Sequence, residues 1–206
     1  MTPKAVVFDI GNVLIEWQPE RFYDAQIGEE RRRAMFAEID LHGMNDRVDT
    51  GENFTKVIRE TAAIYPHWAD EIMLWHDNWI EMAAPAIPHS ERLMDALQAK
   101  GIPVFSLTNF GVETMVIARK KYGFLHKFDR DFISGHMQVI KPAARIYELL
   151  EEGTGLSGPE LLFTDDRHDN INAAKDRNWQ THLFEYPQGW ADKLVASGLL
   201  TEQEAV

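Results

Sequence analysis

Ala5-Val6-Val7-Phe8-Asp9-Ile10-Gly11-Asn12-Val13-Leu14-Ile15 decides the fold of this chain. Val6, Val7 and Phe8 form an unbroken apolar run, the pattern of a strand buried on both faces at the centre of a parallel sheet. One carboxylate, Asp9, follows at the carboxyl end of that strand. Gly11 and Asn12 then permit a sharp turn before a second apolar run. In open α/β sheets ligands bind at the carboxyl ends of the strands, so Asp9 stands where chemistry is expected.

From Pro85 onward the chain alternates in the manner of βαβ units. Helices are expected over 90–100, stopped by Gly101, over 112–122, from Lys141-Pro142 with proline in the first turn, around Ile171 and Ala174, and over 190–199. Strands are expected over 102–107, within 128–134, over 161–164 and over 181–184. Residues 202–206 are expected to fray. Residues 16–84 have a different character, rich in Trp, Met and His, with no strand pattern. Four short helices are expected there, over 19–27, over 29–39, after Thr50 with Phe54, Val57, Ile58 and Thr61 at helical spacing, and through Trp68, Ile72, Trp75 and Trp79. The segment 42–46 is expected to be a loop. The fold class is therefore α/β, a Rossmann-like parallel-sheet core of residues 1–15 and 85–206, with a small helical bundle of residues 16–84 inserted as a cap after the first strand.

Composition narrows the function. A chain of 206 residues, 45% hydrophobic, supports one sizeable core and a small appended unit. No apolar run approaches the roughly 20 residues of a membrane span. The N-terminus runs directly into a strand, so no leader is expected. The absence of cysteine excludes disulfides, thiolate metal sites and cysteine nucleophiles. A formal charge of −12 opposes nucleic acid and anionic lipid. The expectation is a cytoplasmic protein, monomer or homodimer, whose partner is a small molecule and neither nucleic acid nor membrane.

The strand ends carry the polar groups. The first ends in Asp9, the second in Thr108-Asn109 and the fourth in Asp165-Asp166, while Lys141 stands at a helix start. Each has a plainer use alone, as a turn residue, an N-cap or a solvated lysine. In a parallel sheet they meet on one edge. Carboxylates, a hydroxyl, an amide and an ammonium together suit an anion plus a hard cation. Mg²⁺ takes oxygen ligands and typically binds one or two carboxylates with a substrate phosphate. A carboxylate can also act as a nucleophile.

Phe8-Asp9-Ile10-Gly11-Asn12-Val13, Leu107-Thr108-Asn109, Ile140-Lys141-Pro142 and Phe163-Thr164-Asp165-Asp166 resemble, in order and spacing, the four motifs of the haloacid dehalogenase-like (HAD) hydrolase superfamily. The Gly-Asn-Val turn and the Asp165, Asp166, Asn170 pattern look most like a bacterial α-glucose-1-phosphate phosphatase. The second of these patterns is shared with the phosphatase domain of soluble epoxide hydrolase. The resemblance implies an Mg²⁺-dependent phosphohydrolase acting on a small phosphorylated metabolite. Asp9 would attack phosphorus to give an aspartyl-phosphate. The Asp9 carboxylate, the Gly11 carbonyl and Asp166 would hold Mg²⁺, with Asp165 and Asn170 acting directly or through water. Asn12, Thr108, Asn109 and Lys141 would bind the phosphoryl group, and Lys141 would also orient Asp9.

In one respect the chain departs from that pattern. Most phosphatases of the superfamily carry a second aspartate two residues after the nucleophile, as acid for the leaving group, and here that position is Gly11. A missing acid costs about 10²–10⁴ in rate when the leaving group is poor. Either good leaving groups are favoured, such as an anomeric sugar phosphate, or another group supplies the proton, with His42 a candidate. Trp17, Phe22, His42, Met44, Asn45 and Arg47 are the inserted residues considered as facing the substrate, with packing or exposure the commoner use of each. Two alternatives remain: a metal-independent 2-haloacid dehalogenase, and a non-catalytic binder of phosphorylated ligands.

Overall fold

In a computed structural model, which describes all residues Met1–Val206, the chain opens with β1 (Ala5–Phe8), every residue of which is fully buried. A short strand β2 (Ile15–Trp17) follows, then helices α1 (Pro19–Ile27), α2 (Glu29–Glu38), α3 (Leu41–Asp49), α4 (Phe54–Ile64), α5 (Ala69–Asp77) and α6 (Trp79–Met82). The chain returns through β3 (Ala83–Ala86) and continues as α7 (Pro88–Ala99), β4 (Val104–Thr108), α8 (Val112–Lys121), β5 (Arg130–Ile133), α9 (Ser134–Met137), α10 (Ala144–Thr154), β6 (Leu161–Asp165), α11 (His168–Asp176), β7 (Gln180–Leu183) and α12 (Pro187–Ala196).

Five strands form one parallel sheet in the order β5-β4-β1-β6-β7, with β1 at its centre. Val6 lies between Val104 and Leu162, and Phe8 between Ser106 and Thr164. Side chains alternate between the faces of a strand. Val6 and Phe8 therefore join one core with Leu93, Leu97, Trp190 and Leu194, while Ala5 and Val7 join the other with Ile146, Leu150 and Ile171. The unbroken apolar run of β1 is thus the signature of helices on both faces. The Phe8 and Trp190 rings meet edge to face at 5.5 Å.

The inserted segment is entered and left through β2 and β3, which pair antiparallel with Trp17 opposite Ala83. This two-stranded ribbon was not visible in the sequence, since three or four residues are too few for a period. There are six helices where four were expected. Residues 42–46, expected to be a loop, lie within α3. The reason is local: the Asp40 carboxylate caps the helix by accepting from the Gly43 amide at 2.8 Å, and Leu41, Met44 and Val48 repeat on its buried side. The tryptophan series is also divided, with Trp68 in a 3₁₀ turn, Trp75 in α5 and Trp79 in α6.

Two further expectations are corrected. α10 begins at Ala144, so Lys141 and Pro142 precede the helix. The Asn109 side chain holds the Lys141 peptide from both sides, accepting from its amide at 2.8 Å and donating to its carbonyl at 3.1 Å. The C-terminal residues do not fray freely. Ala205 is buried, its carbonyl bonds His89 Nε2 at 2.9 Å, and Glu204 pairs with Lys100. Trp190→Ala should cost about 3–5 kcal/mol through the cavity left against Phe8, as measured by urea denaturation.

Candidate active site

The carboxyl edge of the sheet gathers the sequence-predicted residues around one buried ammonium. Lys141 Nζ lies 2.9 Å from Asp9 Oδ1 and 2.6 Å from Asp165 Oδ2, with its side chain 1% exposed. Asp9 immediately follows β1, and its Oδ1 also accepts from the Ile10 amide at 2.8 Å. Asp165, the last residue of β6, accepts from the Arg167 amide at 2.8 Å and from Asn170 Nδ2 at 2.9 and 3.0 Å. With Lys141, those contacts occupy the lone pairs of both Asp165 oxygens. Asp166 is half-buried and more open, bonded by Asn12 Nδ2 at 2.9 Å.

The turn after β1 is built differently from the sequence expectation. Asn12 adopts the left-handed backbone at φ 54°, a conformation asparagine tolerates, and Gly11 does not. Asn12 Oδ1 accepts from the Trp17 amide at 2.9 Å while its Nδ2 holds Asp166. One side chain thereby ties the turn after β1, the entry strand β2 and the fourth motif together. A Cβ added at Gly11 would meet nothing within 4 Å, so packing does not enforce glycine there.

Charge is unbalanced at this edge. Asp9, Asp165 and Asp166 offer oxygens that all lie within 4.8 Å of one another. Like charges near 4 Å repel by about 4 kcal/mol at an effective dielectric of 20. Burial pushes the Asp9 carboxyl up to about 7; Lys141 pulls it down, and Asp165 and Asp166 push it further up. Burial also raises Asp166. Lys141 itself is disfavoured by burial, yet Asp165 and Asp9 hold its pKa above the ordinary lysine value. Three carboxylates against one ammonium leave two negative charges, the complement of a divalent cation. The donor set fits such an ion: all ligands are hard oxygens, and Asn170 Oδ1 is buried with no hydrogen-bond partner.

A cavity of about 240 Å³ opens over this edge, with Asp9, Asn12, Thr108, Asn109, Lys141 and Asp166 at its floor. Trp17, Trp75, Trp79 and Phe110 form an aromatic side, in which the Trp79 and Phe110 rings meet at 5.3 Å. Of the inserted residues considered from sequence, Trp17, His42 and Asn45 line the cavity. Phe22 and Met44 are packed in the core, and Arg47 is paired with Glu52 and Glu60. Sequence reasoning missed Asp49 and Ser134. Asp49 lines the cavity from the end of α3, and Ser134 Oγ links the Phe110 amide to the Asp49 carbonyl. Helical spacing of His42, Asn45, Asp46 and Asp49 was the available signal, and it was hidden by reading 42–46 as a loop.

The sheet order and the acidic edge define a parallel α/β core with a polar site at its carboxyl edge, and comparison places it in a family. The model of the haloacid dehalogenase-like hydrolases matches residues 3–176, and the chain belongs to that family. A sesquiterpene phosphatase of Aspergillus oryzae is 26% identical over 183 residues, 84% of this chain and 86% of that protein. A HAD family enzyme of Bacteroides thetaiotaomicron superposes with a TM-score of 0.73 at 20% identity, covering 94% of this chain and 99% of that one. An L-2-haloacid dehalogenase of Xanthobacter autotrophicus, with chloropropionic acid covalently bound, gives 0.64 at 18% identity, over 98% of this chain and 86% of that one. Both structures are likenesses of fold.

Two outcomes follow from the charge balance. Lys141→Met should lose about 3–5 kcal/mol of stability near neutral pH, because two buried carboxylates lose their partner. The deficit should shrink in acid, as seen by denaturation at several pH values. Asp9 is raised from 3.8 to about 7 in the folded state, so between those values the folded chain holds the extra proton and metal-free stability falls as pH rises. A divalent cation competes with that proton. The Tm gained on adding Mg²⁺ should therefore grow from pH 6 to pH 8, and a gain independent of pH would contradict the site.

Proposed function

We propose that the protein is an Mg²⁺-dependent phosphohydrolase that passes the phosphoryl group of a small phosphate monoester to Asp9 and then to water. The observation that carries this reading is the buried Lys141 ammonium, 2.9 Å from Asp9 and 2.6 Å from Asp165, on the floor of a cavity that Thr108 also lines. A carboxylate held beside a fixed cation is oriented for attack, and the same cation offsets charge on the incoming phosphate. Phosphoryl transfer depends on positioning and on neutralising the equatorial oxygens.

The roles divide by geometry. Asp9 is the nucleophile. Asp9, Asp166 and the Gly11 carbonyl would hold Mg²⁺, which when bound would neutralise the phosphoryl oxygens. Asp165, saturated by donors, anchors Lys141 and would add negative charge beside the ion. Thr108, the Asn109 amide and Lys141 receive phosphoryl oxygens. Asn12 acts at second hand, by fixing Asp166. In this reading residues 16–84 are a helical cap over a core of residues 1–15 and 85–206, and the aromatic side of the cavity is where the cap meets the organic part of the substrate. Glu16 and Asp46 also line the cavity, which disfavours a second anionic group. The substrate class is accordingly a monophosphate whose remainder is uncharged and has an apolar face, whether sugar or hydrocarbon. The phosphatase among the relatives supports the phosphate ester class.

p-Nitrophenyl phosphate hydrolysis should require Mg²⁺, stop on complete chelation, and be abolished in Asp9→Asn. Phosphate release that survives chelation contradicts the metal assignment. Metal-independent halide release from 2-chloropropionate would instead make the protein a dehalogenase. Neither activity, across a broad panel of esters, would leave a phospholigand-binding protein.

A further inference from the structure

Cleaving a phosphate ester leaves an alkoxide, and on the reading above the sheet edge has no free acid for it, Asp166 being bonded by Asn12 and assigned to the metal. Asp9 is committed to phosphorus, both Asp165 oxygens are filled by donors, and Lys141 is shared between two carboxylates. Gly11 carries no side chain. We propose, on the phosphohydrolase reading above, that Asp49 at the end of α3 is the proton donor to the leaving-group oxygen.

Three observations support this role. First, Asp49 lines the same cavity as Asp9 and Thr108 but comes from the inserted helices, while Asp9 comes from the sheet edge. Second, it is positioned from the core. Ser134 Oγ donates to the Asp49 carbonyl at 2.6 Å and accepts from the Phe110 amide at 2.8 Å, two residues beyond Thr108. Asn45 Nδ2 donates to Asp49 Oδ2 at 2.8 Å from one turn earlier on the helix. Third, the environment favours the acid form. Burial pushes the Asp49 carboxyl up to about 8; Asp46 on its own helix adds to this, the Gly111 amide opposes it, and across the cavity Asp9 raises and Lys141 lowers it. A neutral carboxyl at neutral pH is what a general acid requires.

The step balances. The Asp9 carboxylate forms a bond to phosphorus as the bond from phosphorus to the ester oxygen breaks, and the Asp49 proton passes to that oxygen to release the alcohol. In the second half, water attacks phosphorus and gives its proton to the Asp49 carboxylate. Inorganic phosphate leaves, and both side chains return to their starting forms. Such a donor extends the substrate range from good leaving groups to simple alkyl phosphates.

The test compares Asp49→Asn with the wild type, by kcat/KM, on p-nitrophenyl phosphate and on an alkyl phosphate such as glycerol phosphate. kcat/KM reports the first, leaving-group-releasing step. The alkyl ester should lose about 10²–10⁴-fold and the nitrophenyl ester less than about 10-fold. The wild-type profile should also fall on the alkaline side for the alkyl ester and not for the nitrophenyl ester. That second readout stands even if the variant fails to fold. Equal losses on both esters, or no loss on the alkyl ester, overturn the role of Asp49 alone. A wild type inactive on both esters overturns the phosphohydrolase reading, and this assignment with it.

Discussion

The site depends on one ammonium held between two carboxylates. Lys141 is buried to 3% exposure with Asp9 and Asp165 in contact, and the cost of desolvating three charges is large. The fold meets that cost with geometry. Asp9 and Asp165 end adjacent parallel strands whose register pairs Phe8 with Thr164, which brings the two carboxylates alongside each other. Lys141 arrives from outside the sheet, and the Asn109 side chain clamps its peptide from the end of β4. Three sequence-distant segments are thus locked by polar contacts that an apolar core could not direct.

That arrangement leaves a surplus of negative charge. A proton on Asp9 can absorb part of it, and a divalent cation can absorb all of it. The two are alternatives at the same oxygens, so a cation there promotes the ionisation of Asp9, the group proposed to attack. Asp166 is held by Asn12, whose left-handed backbone and double hydrogen bond set it between the turn after β1 and the entry to the inserted helices. The floor of the cavity is thus cross-linked by polar contacts, and its aromatic side, where the organic part of a ligand would lie, comes mostly from the inserted segment.

Much of the floor was legible in the sequence, because strand ends of a parallel sheet converge whatever their separation along the chain. Asp9, Thr108, Lys141, Asp165 and Asp166 needed only the strand assignments, and small boundary errors did not matter. Roles set by side-chain direction were hidden. Asp165 was expected to act on a metal directly or through water, and its oxygens are filled by Lys141, Asn170 and the Arg167 amide. Asn109 was read for its backbone amide alone, and the hold of its side chain on the Lys141 peptide went unseen. The inserted segment was read least well. His42, Gly43, Asn45 and Asp46 have turn composition, and only tertiary burial of Leu41, Met44 and Val48 with the Asp40 cap makes α3 a helix. Asp49 was invisible for that reason.

Everything proposed for this site turns on Asp9 taking the phosphoryl group. Acid quench of the enzyme during turnover of p-nitrophenyl phosphate with Mg²⁺, followed by mass spectrometry of its peptides, tests it most directly. One added phosphoryl group should appear on the peptide carrying Asp9 and be absent in Asp9→Asn. Continued turnover with that peptide unmodified, or the phosphoryl group on a different residue, would contradict it.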